Sequence, residues 1–181
     1  QADLKTFHAH DVYGLSVVTC VVAEVPGRVE AIQAVSGELL AAQIRLSFEA
    51  FPVAAVKTGM LYSADLIMTA CEALADARAG DSRLRLVVDP VMVASSGDPL
   101  LAADAMAGYS ERLLPLADVI TPNLDEAAAL LGEPVRAADE MADAARALAA
   151  RYHCAVLLKG GHLEGDTAAD VLCAGGECRR Y

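Results

Sequence analysis

The stretch LLKGGHLEGD, residues 157–166, joins an apolar run to a lysine and two glycines. The run that it completes, CAVLL at 154–158, has the length and aliphatic content of a buried strand. Lys159 would then stand at the end of that strand, with Gly160 and Gly161 directly behind it. A lysine carries a point charge that suits a phosphate, and glycines let a backbone approach a ligand closely. The stretch therefore indicates a strand end that holds an anion, with a solvated lysine as the alternative.

Strands and helices alternate along the rest of the chain, and this order predicts an α/β fold with a mostly parallel central sheet. Residues 15–23, LSVVTCVVA, are apolar throughout and are predicted to form a strand covered on both faces. The segment 29–35 is typical of a half-buried strand, and 170–174 with 177–181 of a hairpin around two glycines. A Ser/Gly/Pro loop is predicted at 94–101.

Ligands of parallel α/β sheets bind beyond the carboxyl ends of the strands. One edge of the sheet would collect two carboxylates, an amide, a lysine and several glycines. The sequence therefore predicts a binding site for a phosphate compound along this edge. The predicted strand ends carry Glu24, Gly59-Met60, Asp89-Pro90-Val91, Thr121-Pro122-Asn123 and Lys159-Gly160-Gly161.

Two carboxylates and an amide near this edge suit a magnesium site. Asn123 and Glu126 form an N-x-x-E pair where a strand passes into a helix, and Asp89 ends a very apolar strand. Mg²⁺ keeps several waters and prefers one or two carboxylates, and Asn123 would orient a phosphate or a metal-bound water. The alternatives are structural: Glu126 would favour the helix dipole, and Asp89 would take part in a loop hydrogen bond.

The bulk composition excludes several classes of function. The formal net charge of −11 argues against sequence-independent nucleic-acid binding, because no basic patch is available to replace counterions. No apolar stretch is long enough for a membrane span, so a membrane protein is not indicated. The five cysteines form no C-x-x-C pair and lie mostly in apolar runs, so we expect buried, reduced thiols and a cytoplasmic protein.

Several blocks of the sequence resemble one known family. In their order they are similar to the hydroxymethylpyrimidine/phosphomethylpyrimidine kinases of thiamine biosynthesis, and the resemblance runs through essentially the whole chain. It implies a ribokinase-like fold, a three-layer α/β/α sandwich. It also implies that Mg²⁺ and ATP serve to phosphorylate 4-amino-5-hydroxymethyl-2-methylpyrimidine and then its monophosphate. The blocks are QADLKTF (1–7), YGLSVVT (13–19), VKTGML (56–61), DPVMVASSGDPLL (89–101), LLPLADVITPNLDEAAALLG (113–132) and LLKGGHLEGD (157–166).

The resemblance also assigns roles to residues. Glu24 falls where the family often has a glutamine that hydrogen-bonds the aminopyrimidine. A glutamate still accepts from the amino group, but it favours a protonated ring or a different substrate. The resemblance implies that Val22, Glu24, Met60 and Val91 bind the substrate, that Asn123, Lys159 and Gly160 bind the nucleotide, and that Asp89 and Glu126 bind the metal.

Two segments of the family pattern have no counterpart among these residues. One is a Gly-rich segment before QADLKTF that closes over the substrate, and the other is a later T-x-N-T-H-G-T-G-C-type segment that forms the anion hole and supplies the catalytic group. Phosphoryl transfer depends on positioning and charge stabilisation. The resemblance therefore predicts one kinase domain over 1–181 that is incomplete at both ends, contains no catalytic residue and is inactive alone.

Two other functions remain open from the sequence. Pyridoxine/pyridoxal kinases share the fold and act on a related heteroaromatic alcohol, although the QADLKTF and KGGHL blocks favour the pyrimidine enzyme. A non-catalytic pyrimidine-binding module is the second alternative. It is supported by Glu24 and by the lack of a counterpart to the later T-x-N-T-H-G-T-G-C-type segment. Family members often dimerise, and the strands at 15–23 and 29–35 would support a homodimer.

Overall fold

A computed structural model describes residues 1–92, 105–135, 137–161 and 169–181. The predicted loop at 94–101 lies outside these residues. None of the described helices is long and apolar enough to cross a membrane. The helices are α1 (Ala2–Ala9), α2 (Gly37–Ala50), α3 (Ala64–Gly80), α4 (Ala105–Gly108), α5 (Leu124–Leu131) and α6 (Met141–Tyr152). The strands are β1 (Cys20–Val25), β2 (Arg28–Ala34), β3 (Ala55–Thr58), β4 (Arg85–Val88), β5 (Val119–Ile120), β6 (Ala155–Leu158), β7 (Val171–Ala174) and β8 (Glu177–Arg180).

The central sheet contains six strands in the order β3-β4-β5-β6-β7-β8. The strands from β3 to β6 run parallel, whereas β7 and β8 continue the sheet in antiparallel pairing. The connections from β3 to β4, from β4 to β5 and from β5 to β6 each contain a helix, because a chain must cross over before it can pair in parallel. The predicted α/β class, the mostly parallel sheet and the C-terminal hairpin are confirmed.

The two faces of the sheet differ in burial because side chains alternate along each strand. Val88, Ile120, Val156 and Leu158 share one face, and all four are 0% exposed. They belong to one hydrophobic cluster that also includes side chains from α3, α5 and α6. Residues at the alternate positions of the parallel strands are half-buried or exposed. At the carboxyl edge, this second face carries the polar residues of the candidate site.

Two helices begin at a serine N-cap. Ser36 Oγ accepts a hydrogen bond from the Leu39 backbone N–H at the start of α2, at 3.2 Å. Ser63 Oγ accepts from the Leu66 backbone N–H at the start of α3, at 3.3 Å. Each serine satisfies one of the N–H groups that a helix leaves without an internal partner. Local sequence thus determines where the helices on either side of β3 begin.

Strands β1 and β2 form a separate two-stranded antiparallel sheet, called here the ribbon (residues 20–34). The prediction of a strand at 15–23 covered on both faces is therefore wrong. Val21 is 65% exposed and Val25 is 56% exposed. Pro26 and Gly27, with Gly27 at a φ of 82°, turn the chain directly back from β1 into β2. The apolar run pairs with its neighbour in sequence, so it does not enter the central sheet.

Two of the five cysteines are bonded to each other. Cys173 in β7 and Cys178 in β8 are cross-strand partners and form a disulfide. The expectation of reduced thiols is therefore wrong for this pair, because the hairpin brings the two side chains into direct register. Cys20, Cys71 and Cys154 are free, and burial raises the pKa of the Cys71 and Cys154 thiols to about 11.

Candidate functional site

The carboxyl ends of the parallel strands bring polar side chains together at one edge of the sheet. The register places Lys57, Asp89, Thr121 and Lys159 on the same face. Lys159 Nζ donates a hydrogen bond to Asp89 Oδ1 at 2.8 Å, and Thr121 Oγ1 donates to the same oxygen at 3.1 Å. The Asp89 side chain is only 19% exposed. Two predicted site residues, Asp89 and Lys159, are thus in direct contact.

Asn123 and Glu126 form a capping box at the start of α5. Asn123 Oδ1 accepts from the Glu126 backbone N–H, and Glu126 Oε2 accepts from the Asn123 backbone N–H, both at 2.8 Å. A parallel β-bridge joins Asn123 to Lys159, so the capping box lies beside the lysine. Glu126 therefore has a structural role, because it caps the N-terminus of α5 together with Asn123. Its role as a metal ligand stays a prediction.

The Glu126 carboxyl group is buried, with 5% of the residue exposed. Burial raises its pKa above the usual 4.5, although the hydrogen bond from the Asn123 backbone and the charge of Lys159 act in the opposite direction. The charge of Asp89 adds to the increase. Perturbed carboxyl groups that share a cluster with a lysine are common at functional sites. This electrostatic environment favours a cation near Asp89 and Glu126.

Lys57 connects the cluster to α1. Its Nζ donates to Asp3 Oδ1 at 2.7 Å and lies 3.6 Å from Asp89 Oδ2. Burial lowers the pKa of Lys57, but the hydrogen bond to Asp3 and the charges of Asp89 and Asp3 outweigh burial, so the net pKa is raised. Neither Asp3 nor Lys57 is among the residues predicted for the site. The signal was the two-residue period of β3, which places Lys57 on the face of Asp89 once the parallel register is known.

Tyr109 supports the same edge from inside the core. It is 0% exposed and begins a π-helical turn at Tyr109–Leu113. Its hydroxyl group lies 3.2 Å from the Gly59 carbonyl oxygen and 3.4 Å from the Asp89 carbonyl oxygen, and its single proton can be donated to either acceptor. The π-helical turn is rare and occurs frequently at functional sites. Tyr109 is not among the predicted site residues, because no local pattern in the sequence indicates that contact.

Gly160 packs closely against the chain's own backbone. A Cβ atom built on Gly160 would overlap with the Ala169 carbonyl oxygen and would lie 2.9 Å from Met141 Cε. The Gly160 backbone N–H donates to Asp170 Oδ1 at 3.0 Å. On the Cβ side the close approach is therefore to the chain's own backbone, and the role of Gly160 in nucleotide binding stays a prediction. At Gly161 a Cβ would meet no described atom within 4 Å.

The four predicted substrate contacts lie in two different parts of the fold. Val22 and Glu24 belong to the ribbon. Met60 lies just after the end of β3, and Val91 lies just after the end of β4. Thr19 Oγ1 donates to the Met60 carbonyl oxygen at 2.7 Å, just before the ribbon begins. This hydrogen bond ties the base of the ribbon to the carboxyl edge of the central sheet.

Glu24 is not at the carboxyl end of a strand of the central sheet, and this part of the prediction is wrong. It pairs with Val29 inside the ribbon, next to a β-bulge between Ala23 and Glu24, and is exposed. The hairpin at Pro26 and Gly27 removes it from the row of strand ends. Its role in substrate binding stays a prediction.

Asp89 and Glu126 are the carboxylates that a divalent cation would use at this edge. In the part of the chain that the structure describes, no group of three or more His, Cys, Asp or Glu side chains is placed to hold a metal. Mg²⁺ needs only one or two carboxylates when waters and substrate phosphates complete its coordination. These two carboxylates therefore fit an Mg²⁺ ion whose remaining ligands are waters and the phosphate oxygens of a substrate.

Comparison with known proteins connects this site to a family. The model of the phosphomethylpyrimidine kinase family matches residues 1–181. The chain belongs to this family. A hydroxymethylpyrimidine/phosphomethylpyrimidine kinase of Rhizobium meliloti is 47% identical over 176 residues, which are 97% of this chain and 64% of that protein. The chain thus spans 64% of the length of this curated relative.

Solved structures agree with the family and with the fold. The crystal structure of phosphomethylpyrimidine kinase from Clostridium difficile matches with a TM-score of 0.87 at 37% identity, covering 99% of this chain and 76% of that chain. The ADP complex of Bacillus subtilis pyridoxal kinase matches with a TM-score of 0.85 at 32% identity, covering 100% of this chain and 67% of that chain. The resemblance is confirmed, and the fold is the ribokinase-like α/β fold.

Proposed function

We propose that the protein transfers the γ-phosphoryl group of ATP to the hydroxymethyl oxygen of 4-amino-5-hydroxymethyl-2-methylpyrimidine. The alcohol loses its proton, the new O–P bond forms, and the bond between the γ-phosphorus and the β,γ-bridging oxygen breaks to release ADP. A second transfer to the resulting monophosphate gives the diphosphate. The contact between Asp89 and Lys159 at the carboxyl edge of the sheet, in a chain of this family, carries the proposal.

The polar cluster suits the phosphate side of this reaction. Lys159 would contact the phosphates of ATP, and Asn123 retains amide N–H donors for a phosphate oxygen or a metal-bound water. Asp89 and Glu126 would hold Mg²⁺, which when bound neutralises charge on the transferring group. Gly160 would lie beside the nucleotide at the same strand end. We assign these residues to the nucleotide and the metal in the protein at its full natural length.

The substrate side is assigned to the apolar residues beside the ribbon. Val22, Met60 and Val91 are half-buried and would form the walls of the pyrimidine pocket. Glu24 would accept a hydrogen bond from the amino group of the pyrimidine, and a carboxylate there favours a protonated ring. The Thr19–Met60 hydrogen bond supports a position of the ribbon next to the carboxyl edge.

The test is ADP release by the purified protein at its full natural length, with Mg-ATP and the aminopyrimidine alcohol. We expect turnover that requires the alcohol and that stops when EDTA removes Mg²⁺. Lys159→Met should lower kcat by about 100-fold or more, because a charge that stabilises the transferring group is lost. Binding of the alcohol without ADP release would instead support a non-catalytic pyrimidine-binding module.

Pyridoxal kinase is the second candidate function. The match to the Bacillus subtilis pyridoxal kinase has a TM-score of 0.85, close to the 0.87 of the Clostridium difficile phosphomethylpyrimidine kinase. The 47% identity to a hydroxymethylpyrimidine/phosphomethylpyrimidine kinase favours the pyrimidine substrate. Parallel assays decide between them: kcat/KM should be higher for the aminopyrimidine alcohol than for pyridoxal, and the reverse order would make pyridoxal the substrate.

We also propose that the protein acts in the cytoplasm, where ATP is supplied. We propose further that it forms a homodimer through the ribbon. The exposed Val21 and Val25 side chains support an interface on β1. Size-exclusion chromatography with light scattering should give twice the monomer mass, and Val21→Lys should shift it to the monomer. Leu46→Lys on α2, at a position that is 54% exposed compared with 65% for Val21, is the control and should leave the mass unchanged.

We propose, finally, that these residues form one domain that continues at both ends. One hydrophobic cluster runs from α2 to β7, which supports a single domain. The matched residues make up 64% of the Rhizobium meliloti relative, which supports a domain longer than 181 residues. The intact mass of the protein purified from its own cells tests this, and a mass of 18.8 kDa would contradict it.

A further inference from the structure

Four charged side chains of alternating sign form a row at the edge of the sheet: Asp3, Lys57, Asp89 and Lys159. Neighbouring nitrogen and oxygen atoms are separated by 2.7 Å, 3.6 Å and 2.8 Å along the row. Lys57 therefore has a carboxylate on each side. Its side chain is 29% exposed, compared with 37% for Lys159. Lys57 is thus an inner member of the row, whereas Lys159 is at its end.

The two oxygens of Asp89 have different partners. Oδ1 accepts from Lys159 and Thr121, and Oδ2 faces Lys57. If Lys159 contacts the phosphates of ATP, the nucleotide competes with Asp89 for the same ammonium group. Asp89 then retains the Thr121 hydroxyl on Oδ1 and the Lys57 ammonium on Oδ2. The Lys57 ammonium, 3.6 Å from Oδ2, is then the charged group that orients this carboxylate, whose side chain is 19% exposed.

We propose that Lys57 is a positioning residue, which holds Asp89 through Oδ2 while Lys159 contacts the nucleotide and which is itself held by Asp3. This inference rests on the proposed function, because it assigns Lys159 to the phosphates. Lys57 acts on the reaction only through Asp89. Asp3 lies in the first turn of α1, so the row connects this helix to the site. α1 has no buried residue, and the ion pair with Lys57 is therefore a contact that attaches it to the sheet.

Kinetics of the protein at its full natural length test the positioning role. Lys57→Met should lower kcat by about 10- to 100-fold, because a small misplacement of a group at the reacting centre has effects of this size. The KM for ATP should change by less than about threefold, and Lys57→Arg should recover most of the lost kcat, because the cation is restored. Lys5→Met is the control: it removes the same charge from an exposed position on α1 and should leave both constants unchanged.

A measurement on the ligand-free protein tests the contact without any turnover. Lys57→Met, Asp89→Asn and the double variant form a cycle of melting temperatures. We expect the double variant to lose at least about 2 °C less than the sum of the single losses, because the two side chains interact directly. Additive losses would show that Lys57 does not hold Asp89 and would overturn the proposal.

The remaining outcomes are also decisive. An unchanged kcat in Lys57→Met would overturn the positioning role. If Lys57→Met does not fold, Asp3→Asn interrupts the row at its outer end, and its kcat must fall at least about threefold with a constant KM for ATP. If the wild-type protein releases no ADP, the proposed function fails, and the melting cycle alone then decides whether Lys57 holds Asp89.

Discussion

Replacement of Asn123 separates its structural role from its proposed role in nucleotide binding. Asn123 Oδ1 caps α5 by accepting from the Glu126 N–H at 2.8 Å. Asn123→Ala removes this hydrogen bond, and loss of an N-cap lowers the free energy of unfolding by about 1 kcal/mol. Asn123→Ser keeps a capping oxygen, and serine caps about as well as asparagine, so its loss should stay below about 0.5 kcal/mol.

The side-chain nitrogen of Asn123 is absent from both variants. A hydrogen bond from this nitrogen to a phosphate oxygen would contribute about 1.5–3 kcal/mol, because its acceptor is charged. This corresponds to roughly a 10- to 100-fold change in affinity. We therefore expect Asn123→Ser to unfold like the wild-type protein but to have a KM for ATP raised by about this factor, whereas Asn123→Ala shows both effects.

Urea unfolding followed by circular dichroism measures the first effect, and ADP release at varied ATP concentration measures the second. Ser36→Ala is the matched control, since Ser36 caps α2 through the Leu39 N–H at 3.2 Å. It should lower stability as much as Asn123→Ala and leave the KM for ATP unchanged. A wild-type KM in Asn123→Ser would refute the reasoning and would leave Asn123 as a helix cap alone.

Three other perturbations test the edge of the sheet and its hairpin. Because burial raises the pKa of Glu126 in the folded state, the stability contributed by this group falls as pH rises above the usual 4.5. Calorimetry should therefore show that Glu126→Gln melts above wild type at neutral pH, and that this gain shrinks toward pH 4.5; a gain independent of pH would contradict the assignment. Tyr109→Phe removes the hydroxyl bond to the Gly59 carbonyl and should cost about 1 kcal/mol in urea unfolding, and a cost near zero would argue against its supporting role. Reduction of the Cys173–Cys178 disulfide, whose cysteines are 5 residues apart, should cost about 2 kcal/mol, while a Cys173→Ala/Cys178→Ala variant should not respond to reductant.

The central sheet was predictable from the sequence because its signals are local. β3 to β6 are followed by the predicted strand ends, and helices separate these strands. Those ends are Gly59-Met60, Asp89-Pro90-Val91, Thr121-Pro122-Asn123 and Lys159-Gly160-Gly161. The run at 15–23 shows the limit of this reasoning. Its apolar composition says nothing about which strand it pairs with, and the Pro-Gly turn that follows it was the better indicator of a hairpin.

The candidate site was predictable only where its residues stand at strand ends. Asp89 and Lys159 were found in this way, since the ends of parallel strands meet at one edge. Lys57 lies inside an apolar run, so its place depends on the register of two strands. The roles of Tyr109 and Gly160 depend on contacts with residues that are distant in the sequence. Such contacts leave no periodic signal in the sequence.

The alternation of side chains in β3 has an evolutionary consequence. Gain or loss of one residue within this four-residue strand would exchange the places of Lys57 and Thr58. An ammonium group would then enter the core, where Thr58 is now 7% exposed, and a hydroxyl group would face Asp89. An extra residue at the hairpin tip, Gly175-Gly176, would disturb neither face. Among relatives, changes of length should therefore accumulate at such turns and be excluded from the four parallel strands.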